Sequence, residues 1–560
     1  METAPGSRNP LRSFFTGRRL RDIREYLTGY LMIAPAVSLI FLFGIFPVGF
    51  ALFVSLHKWR LKRGDYIGIT NYADAIDTLI YVALFVIAVG ALVAVWFLLR
   101  RAVRQTKGMG TRPWLLTIPG AIHAATVIAL FRYVWVQLPE FLDIADKLRT
   151  LERTREVFSQ LLSEAFNAPS VQPAWQTFAF LALGTIVVGV IASFAWRRPE
   201  NLTYQATFAL VWLTLAIGLG LLYYTFQQIN LVYAAAVESG TDPGIWPQLI
   251  MILSGTILLV IAWLIWRRAP DEDTPLRFWL RIGATFTLLL GGWLLAGEIP
   301  VIVASGNQDL WNGLKVTVFY SLGTVPFQLT IAMALSLLLF QRLRGSELFR
   351  ILFFIPYVTP TVASAAIYRQ LFSNRVQAPA NQLLTLLGLE PQKWLREPTG
   401  IFAMLASHLG VTLPDWAAGP SQALVVIMIF SIWTFVGYNT VIYLAGLGNI
   451  PKELVEAAEI DGASKWQVFK NIIFPLLSPT TYFLTLIAII GTFKAFNHIW
   501  VLRESLALGT TNTFSVAIFL EFFEKLRYGY ASAMAFVLFA IILILTFVNN
   551  RIQGSRVFYG

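Results

Sequence analysis

The chain has 560 residues, of which 57% are hydrophobic and only 13% charged, and its mean hydropathy is +0.65. These values lie far outside soluble globular usage and place the chain in a lipid bilayer as an all-α polytopic membrane protein. The formal net charge of +12 does not mark a nucleic-acid binder, because the basic residues sit in short stretches beside apolar runs and form no basic face; the absence of cysteine excludes disulfides and thiolate chemistry.

The first 27 residues carry Arg8, Arg12, Arg18, Arg19, Arg21 and Arg24 ahead of a long apolar run. That run is too long for a cleavable signal and reads as a signal-anchor span with the amino terminus inside. At about 20 apolar residues per crossing, the chain holds about twelve spans, near 28–56, 80–99, 114–135, 175–196, 203–227, 249–266, 281–304, 315–340, 351–372, 422–445, 480–501 and 530–549. An even number puts both termini on one side, the cytoplasm. The basic stretches fit that orientation: Arg100-Arg101 with Arg104 and Lys107, Arg197-Arg198, Arg267-Arg268, Arg342 with Arg344 and Arg350, Lys465 with Lys470, and Arg551 with Arg556 all fall inside. Lys58, Arg60, Lys62 and Arg63 dissent, falling outside with no physical account from sequence. Three inward-running helices end alike, at Leu99-Arg100-Arg101, Trp196-Arg197-Arg198 and Trp266-Arg267-Arg268, which interfacial anchoring explains without a repeat.

Between the spans, residues 141–166 read as one amphipathic helix with Ile144, Leu148, Leu151, Phe158 and Leu162 on a stripe. Residues 373–420 form a second external segment punctuated by Pro379, Pro391, Pro398 and Pro414. The passage Asn449 to Pro479 is polar between two apolar runs. Pro451 suits a first helical turn, Gly462 a left-handed stop, Ser464 with Gln467 a capping box, and Ser478 before Pro479 the cap of the next span.

No G-x-x-x-x-G-K-[ST] loop and no H-E-x-x-H is present. His57, His123, His408 and His498 are widely separated and read as polar or interfacial side chains rather than metal ligands. Polar groups inside apolar spans are costly unless they face a cavity or a partner. Trp433, Thr434, Tyr438 and Asn439 on one helix, with Thr492, Lys494, Asn497 and His498 on the next, are therefore candidates for a substrate route. Each serves equally well as glue between helices. Trp433 and Tyr438 offer flat faces suited to a sugar ring, and Asn439 and Asn497 both donate and accept.

Glu456-Ala457-Ala458, then Gly462 after three residues and Ile472-Ile473-Phe474-Pro475 after nine more, resembles the EAA motif of permease subunits of binding-protein-dependent ABC importers, with Phe474 in place of Leu. Further stretches resemble the sugar-type permeases of that family: Gly68-Ile69-Thr70-Asn71-Tyr72, Trp311 to Lys315, Ile355-Pro356-Tyr357-Val358-Thr359-Pro360, Trp433 with Leu444-Ala445-Gly446-Leu447, Phe493-Lys494-Ala495-Phe496-Asn497 and Gly529 to Ala533. The resemblance implies a six-helix core made of 28–77 and 309–560, interrupted by an inserted membrane unit of about six spans at 78–308. It implies that 449–479 is a cytoplasmic coupling loop meeting an ATPase through Glu456, Ala457, Ala458, Asp461, Gly462, Ile472 and Pro475. The implied partners are a second related permease, two ATPase subunits that hold the ATP and Mg, an extracytoplasmic solute-binding protein and a sugar. No cofactor is expected in this chain, which would sit in a bacterial or archaeal cell membrane. The alternative is a membrane-embedded enzyme or sensor carried by the inserted unit, with the core as its platform.

Overall fold

The computed structural model describes residues 17–107, 116–149, 151, 153–195, 201–240, 242–269, 274–341 and 344–553. Arg8, Arg12, Glu152, the Trp196-Arg197-Arg198 terminus, Arg342 and Arg556 lie outside the described residues. The chain forms two compact units, Met1–Asp77 with Val301–Gly560, and Thr78–Pro300. Regular structure among the described residues is helical, and ten helices are long and apolar enough to cross a bilayer, twelve if two bent pairs count as one crossing each.

In the first unit, α1 (Arg24–Ser55) leads through a turn to α2 (Thr70–Ile76). Asn71 Nδ2 donates to the carbonyls of Ser55 and His57 at 2.8 and 3.1 Å, which pins α2 beneath the end of α1. Between them the chain folds back, with His57 bridged to Tyr66 and the Lys58 amide donating to Asp65 O at 2.9 Å. Lys58, Arg60 and Lys62 are thereby exposed on a tight hairpin past the end of α1. A basic stretch held in water carries no insertion cost, whichever side it occupies.

In the second unit, α3 (Leu79–Lys107) packs along α7 (Asn201–Ser239), and α4 (Thr117–Lys147) lies against both α6 (Gln172–Ala195) and α7. The single helix expected over 141–166 is instead the end of α4 followed by a separate α5 (Arg155–Phe166). Thr154 is extended and its side chain accepts from the Val157 amide, so a fresh N-cap restarts the chain. α5 folds back onto α4 through Ile144, Leu161 and Ala165, while Leu151 and Phe158 of the expected stripe are exposed. Then follow α8 (Ile245–Arg268) and α9 (Pro275–Ser305).

The first unit resumes with α10 (Gln308–Phe340), α11 (Ser346–Val358), α12 (Thr361–Leu371), α13 (Pro379–Leu386), α14 (Ile401–His408) and α15 (Gln422–Gly448). It closes with α16 (Lys452–Ile460), α17 (Lys465–Leu476), α18 (Ser478–Phe493), α19 (Asn497–Leu502), α20 (Phe514–Phe519) and α21 (Tyr528–Gln553). α10 and α15 are its centre. More than half of the apolar window of α15, 56%, is buried and 39% of that of α10, against 6–22% for the other crossing helices, whose apolar surfaces are left for lipid. Tyr320, Leu424, Ile427 and Phe430 pack at one level, and Tyr443, Leu447, Leu477 and Leu484 at another.

Two expected spans are broken. Residues 351–372 are α11 and α12, bent by 94°. Pro360 has no amide to continue a helix and biases Thr359, at φ −66° and ψ 138°, to extended backbone. Residues 480–501 are α18 and α19, separated by an unwound Lys494–Phe496, and α17 meets α18 at 61°. Leu477, not Ser478, is the N-cap of α18, and it makes no side-chain cap.

α15 approaches α11 closely at Gly437, where an added Cβ would sit 1.7 Å from the Phe353 carbonyl oxygen. Gly437→Ala is expected to destabilise the full chain by about 1–3 kcal/mol through overpacking against backbone. Gly448→Ala, whose Cβ meets nothing within 4 Å, is the control, and thermal midpoints in detergent measure both. Equal midpoints would mean that α11 yields at no cost.

Candidate functional site

The polar passage after α15 is ordered by its own capping. Just past the end of α16, Gly462 has φ +80°, its amide donates to Glu459 O at 3.1 Å, and the Ala463 amide donates to Ala458 O at 2.9 Å. This is a Schellman stop, which needs a left-handed residue at the glycine. Ser464 and Gln467 then form the capping box of α17, with the Ser464 amide donating to Gln467 Oε1 at 2.7 Å. No residue of α16 is buried. Glu456, Ala457, Asp461 and Gly462 are exposed, and Ala458 is half-buried. Ile472 and Pro475 are half-buried further along α17, where a π turn at Phe469–Ile473 precedes Pro475. Ile460 is 86% and Trp466 68% exposed, so two large apolar side chains stand uncovered on a polar loop.

Within the bundle, a cavity of about 340 Å³ lies between α10, α11, α15 and the α18–α19 break. The structure brings together Tyr438, Asn439, Thr492, Lys494 and Asn497 of the expected residues, with His498. Trp433 and Thr434 do not line it. Trp433 stacks on Tyr368 with ring centroids 6.2 Å apart, and Thr434, 5% exposed, donates to Phe430 O at 2.9 Å. Tyr320, Thr324 and Gln328 of α10, Tyr357, Thr361 and Ser431 also line the cavity and escaped the sequence reading. The first three recur every fourth residue on one helix face, and that spacing was the available signal.

Hydrogen bonds fix the wall. Tyr320 Oη bonds to Ser431 Oγ and lies 2.7 Å from His498 Nε2, and Thr492 Oγ1 donates to Ser321 Oγ at 2.9 Å. Tyr357 stacks on Tyr438 at 4.6 Å, presenting aromatic surface. Asn439 is 4% exposed and its Nδ2 has no partner. A buried amide without a partner is costly, and a ligand hydroxyl in the cavity would satisfy it. Lys494 makes no ion pair among the described residues, and no carboxylate lines the cavity. The unwound backbone beside it is tolerable in a bilayer because it borders this space.

The family described as "Binding-protein-dependent transport system inner membrane component" matches residues 327–557. The chain is 32% identical over 258 residues to the probable ABC transporter permease protein YesP of Bacillus subtilis (strain 168), covering 46% of this chain and 76% of that one. It is 31% identical over 272 residues to the arabinooligosaccharides transport system permease protein AraP of the same organism, covering 47% and 79%. Among solved structures, it is similar to a bacterial ABC transporter involved in the import of the acidic polysaccharide alginate, with 19% identity, a TM-score of 0.39 and coverage of 46% and 82%. With the EAA-type passage capped and exposed at one end of α15 and a polar cavity beside its middle, the chain belongs to the binding-protein-dependent ABC importer permeases of the carbohydrate-uptake class.

Proposed function

We propose that this permease subunit is driven by ATP hydrolysed in two separate ATPase subunits, which hold the nucleotide and Mg, and that it pairs with a second related permease. An extracytoplasmic solute-binding protein delivers the sugar, polyol or oligosaccharide. Both termini and the Asn449–Pro479 loop face the cytoplasm, and the 373–420 segment lies outside. The observation that carries this reading is the capped loop with no buried residue in α16 and with Ile460 and Trp466 uncovered, which leaves apolar surface on a polar element for an ATPase to cover.

The route for the force follows the chain. α18 spans the 16 residues from the loop to the unwound segment, roughly 24 Å of helix at 1.5 Å per residue. Displacement of Glu456, Ala457, Ala458, Asp461 and Gly462 by the ATPase turns α18 through its bend at Leu477, near Ile472 and Pro475, and repositions Thr492, Lys494 and Asn497. Tyr438 offers a sugar its ring face, while Asn439 and Asn497 take its hydroxyls. Residues 78–308 are an inserted membrane unit, a reading supported by the separate compact unit Thr78–Pro300.

The absence of native cysteine gives a direct test. Glu456→Cys is expected to react with a membrane-impermeant maleimide in inside-out vesicles alone, and added ATPase subunits should protect it. Labelling from the outer face would overturn the reading.

A further inference from the structure

A second cavity, of about 570 Å³, is lined by Arg369, Arg375, Lys393, Arg396 and Glu504. It shares its two walls with the first. On α12, Thr361 borders the mid-bundle cavity and Arg369 the second one, eight residues further, or about 12 Å of helix. Along α19 and its exit, Asn497 and His498 border the first and Val501 and Glu504 the second. The second cavity therefore lies outward of the first along the same two segments.

Its charges do not balance. Glu504 accepts from Arg369 Nε and Nη2 at 3.0 and 2.5 Å and lies 3.8 Å from Arg396 Nε, so one carboxylate serves two guanidinium groups. Lys393 has only a long 3.8 Å pairing with Glu397 and is 75% exposed, and Arg375 has no acidic partner among the described residues. Four cations and one carboxylate line this cavity, with Glu397 reaching Lys393 from outside it at 3.8 Å, and the next cavity adds Lys494 without an acid in its lining. Arg369, Lys393 and Arg396 are 40–75% exposed, so solvent screens their mutual repulsion, and the excess positive charge of the cavity favours an anion over a neutral sugar.

The cavity is also built. Asn381, 0% exposed, donates through Nδ2 to the Arg375 and Gln392 carbonyls at 3.0 and 3.2 Å, and its Oδ1 accepts from the Gln392 amide at 2.9 Å and Trp394 Nε1 at 2.7 Å. One buried amide thus fixes the segment bearing Arg375 against the one bearing Lys393 and Arg396. The volume falls in the usual range of small-molecule sites.

We propose that this subunit carries an anionic sugar, whose carboxylate or phosphate is held first at the Arg369, Arg375, Lys393 and Arg396 cavity before passing inward to Lys494. The inference rests on the import reading and narrows its substrate. Arg369, Arg396 and Glu504 tie the walls together, so Arg375 and Lys393 are the positions to change.

The test uses the assembled importer in zwitterionic phosphatidylcholine nanodiscs, titrated calorimetrically with digalacturonate, galactose 6-phosphate and neutral galactobiose. At least one charged probe is expected to bind tenfold or more tighter than galactobiose, more weakly as salt rises. Arg375→Gln with Lys393→Gln should bring the ratio of charged to neutral affinity down to about one. Equal affinity for charged and neutral probes, or an unaltered double variant, would overturn the inference while leaving the Glu456 labelling result standing. So would a variant that keeps its sugar affinity but no longer captures the binding protein, since the charges would then serve an acidic protein face.

Discussion

Gly462→Val is expected to abolish uptake by the assembled importer while the chain still inserts and keeps nearly its full thermal midpoint. An added Cβ meets nothing within 4 Å, so no clash disturbs the bundle. The penalty is conformational: φ is +80°, and a non-glycine residue in the left-handed region costs roughly 1–2 kcal/mol, more when β-branched. Relief of that strain breaks the Schellman turn and rotates the Ser464 capping box relative to α16, changing the angle between Glu456 and Trp466. A partner groove matched to both then loses its seat. Uptake should fall at least tenfold, which a loss of about 1.4 kcal/mol in docking already produces, and Gly462→Ala should be intermediate. Proteoliposome uptake, sugar-stimulated ATPase activity and the thermal midpoint separate coupling from folding. Wild-type uptake in the valine variant would show that the turn does not set the docking geometry.

The Gly462 stop and the Ser464–Gln467 box were readable because capping is decided within a few residues, and the same locality explains what was misread. Thr359-Pro360 carried a break signal, but the apolar run over 351–372 was long enough to span and outweighed it. The end of α18 at Lys494 had no local signal, since the freed Phe493 carbonyl accepts from Ser515 Oγ at 3.1 Å, a partner 22 residues away, and the unwound residues border the cavity. On α15, Ser431, Phe435, Tyr438 and Asn439 share one face; Trp433 is rotated by at least about 120° from each of them, while Thr434 sits about 40° beyond Tyr438 at the edge of that face, buried against Phe430 O. Polarity alone therefore placed Trp433 and Thr434 with the cavity residues, and only the orientation of α15 toward α10 separates them. Tyr320, Thr324 and Gln328 were missed for the converse reason: each is a single polar group in an apolar helix, and the neighbour that gives the row meaning is distant in sequence.

The largest stability effect is expected where a carboxylate is buried at the end of the first unit that holds the start of α10. Glu521 is 2% exposed, with Lys525 Nζ 2.8 Å from Oε1 and an Arg527 guanidinium nitrogen 3.3 Å from Oε2. Lys525 also reaches Asp309 at the start of α10, and its ammonium is held above the usual lysine range chiefly by the Glu521 hydrogen bond. The burial is asymmetric: Lys525 and Arg527 are 47% and 35% exposed, so either can return to water if Glu521 is removed, whereas Glu521 cannot if both cations go. Lys525→Met with Arg527→Met should therefore cost about 3–5 kcal/mol, the range for stranding a buried charge, against about 1 kcal/mol or less for Lys525→Met alone, whose partner keeps Arg527. Adding Glu521→Gln removes the stranded charge and should recover most of the loss. Thermal midpoints of the four proteins, measured at neutral pH in one detergent, decide the matter. If the triple variant is no more stable than the double, the cations act through packing, with the Arg527 guanidinium 4.2 Å over the Tyr530 ring as the contact to blame.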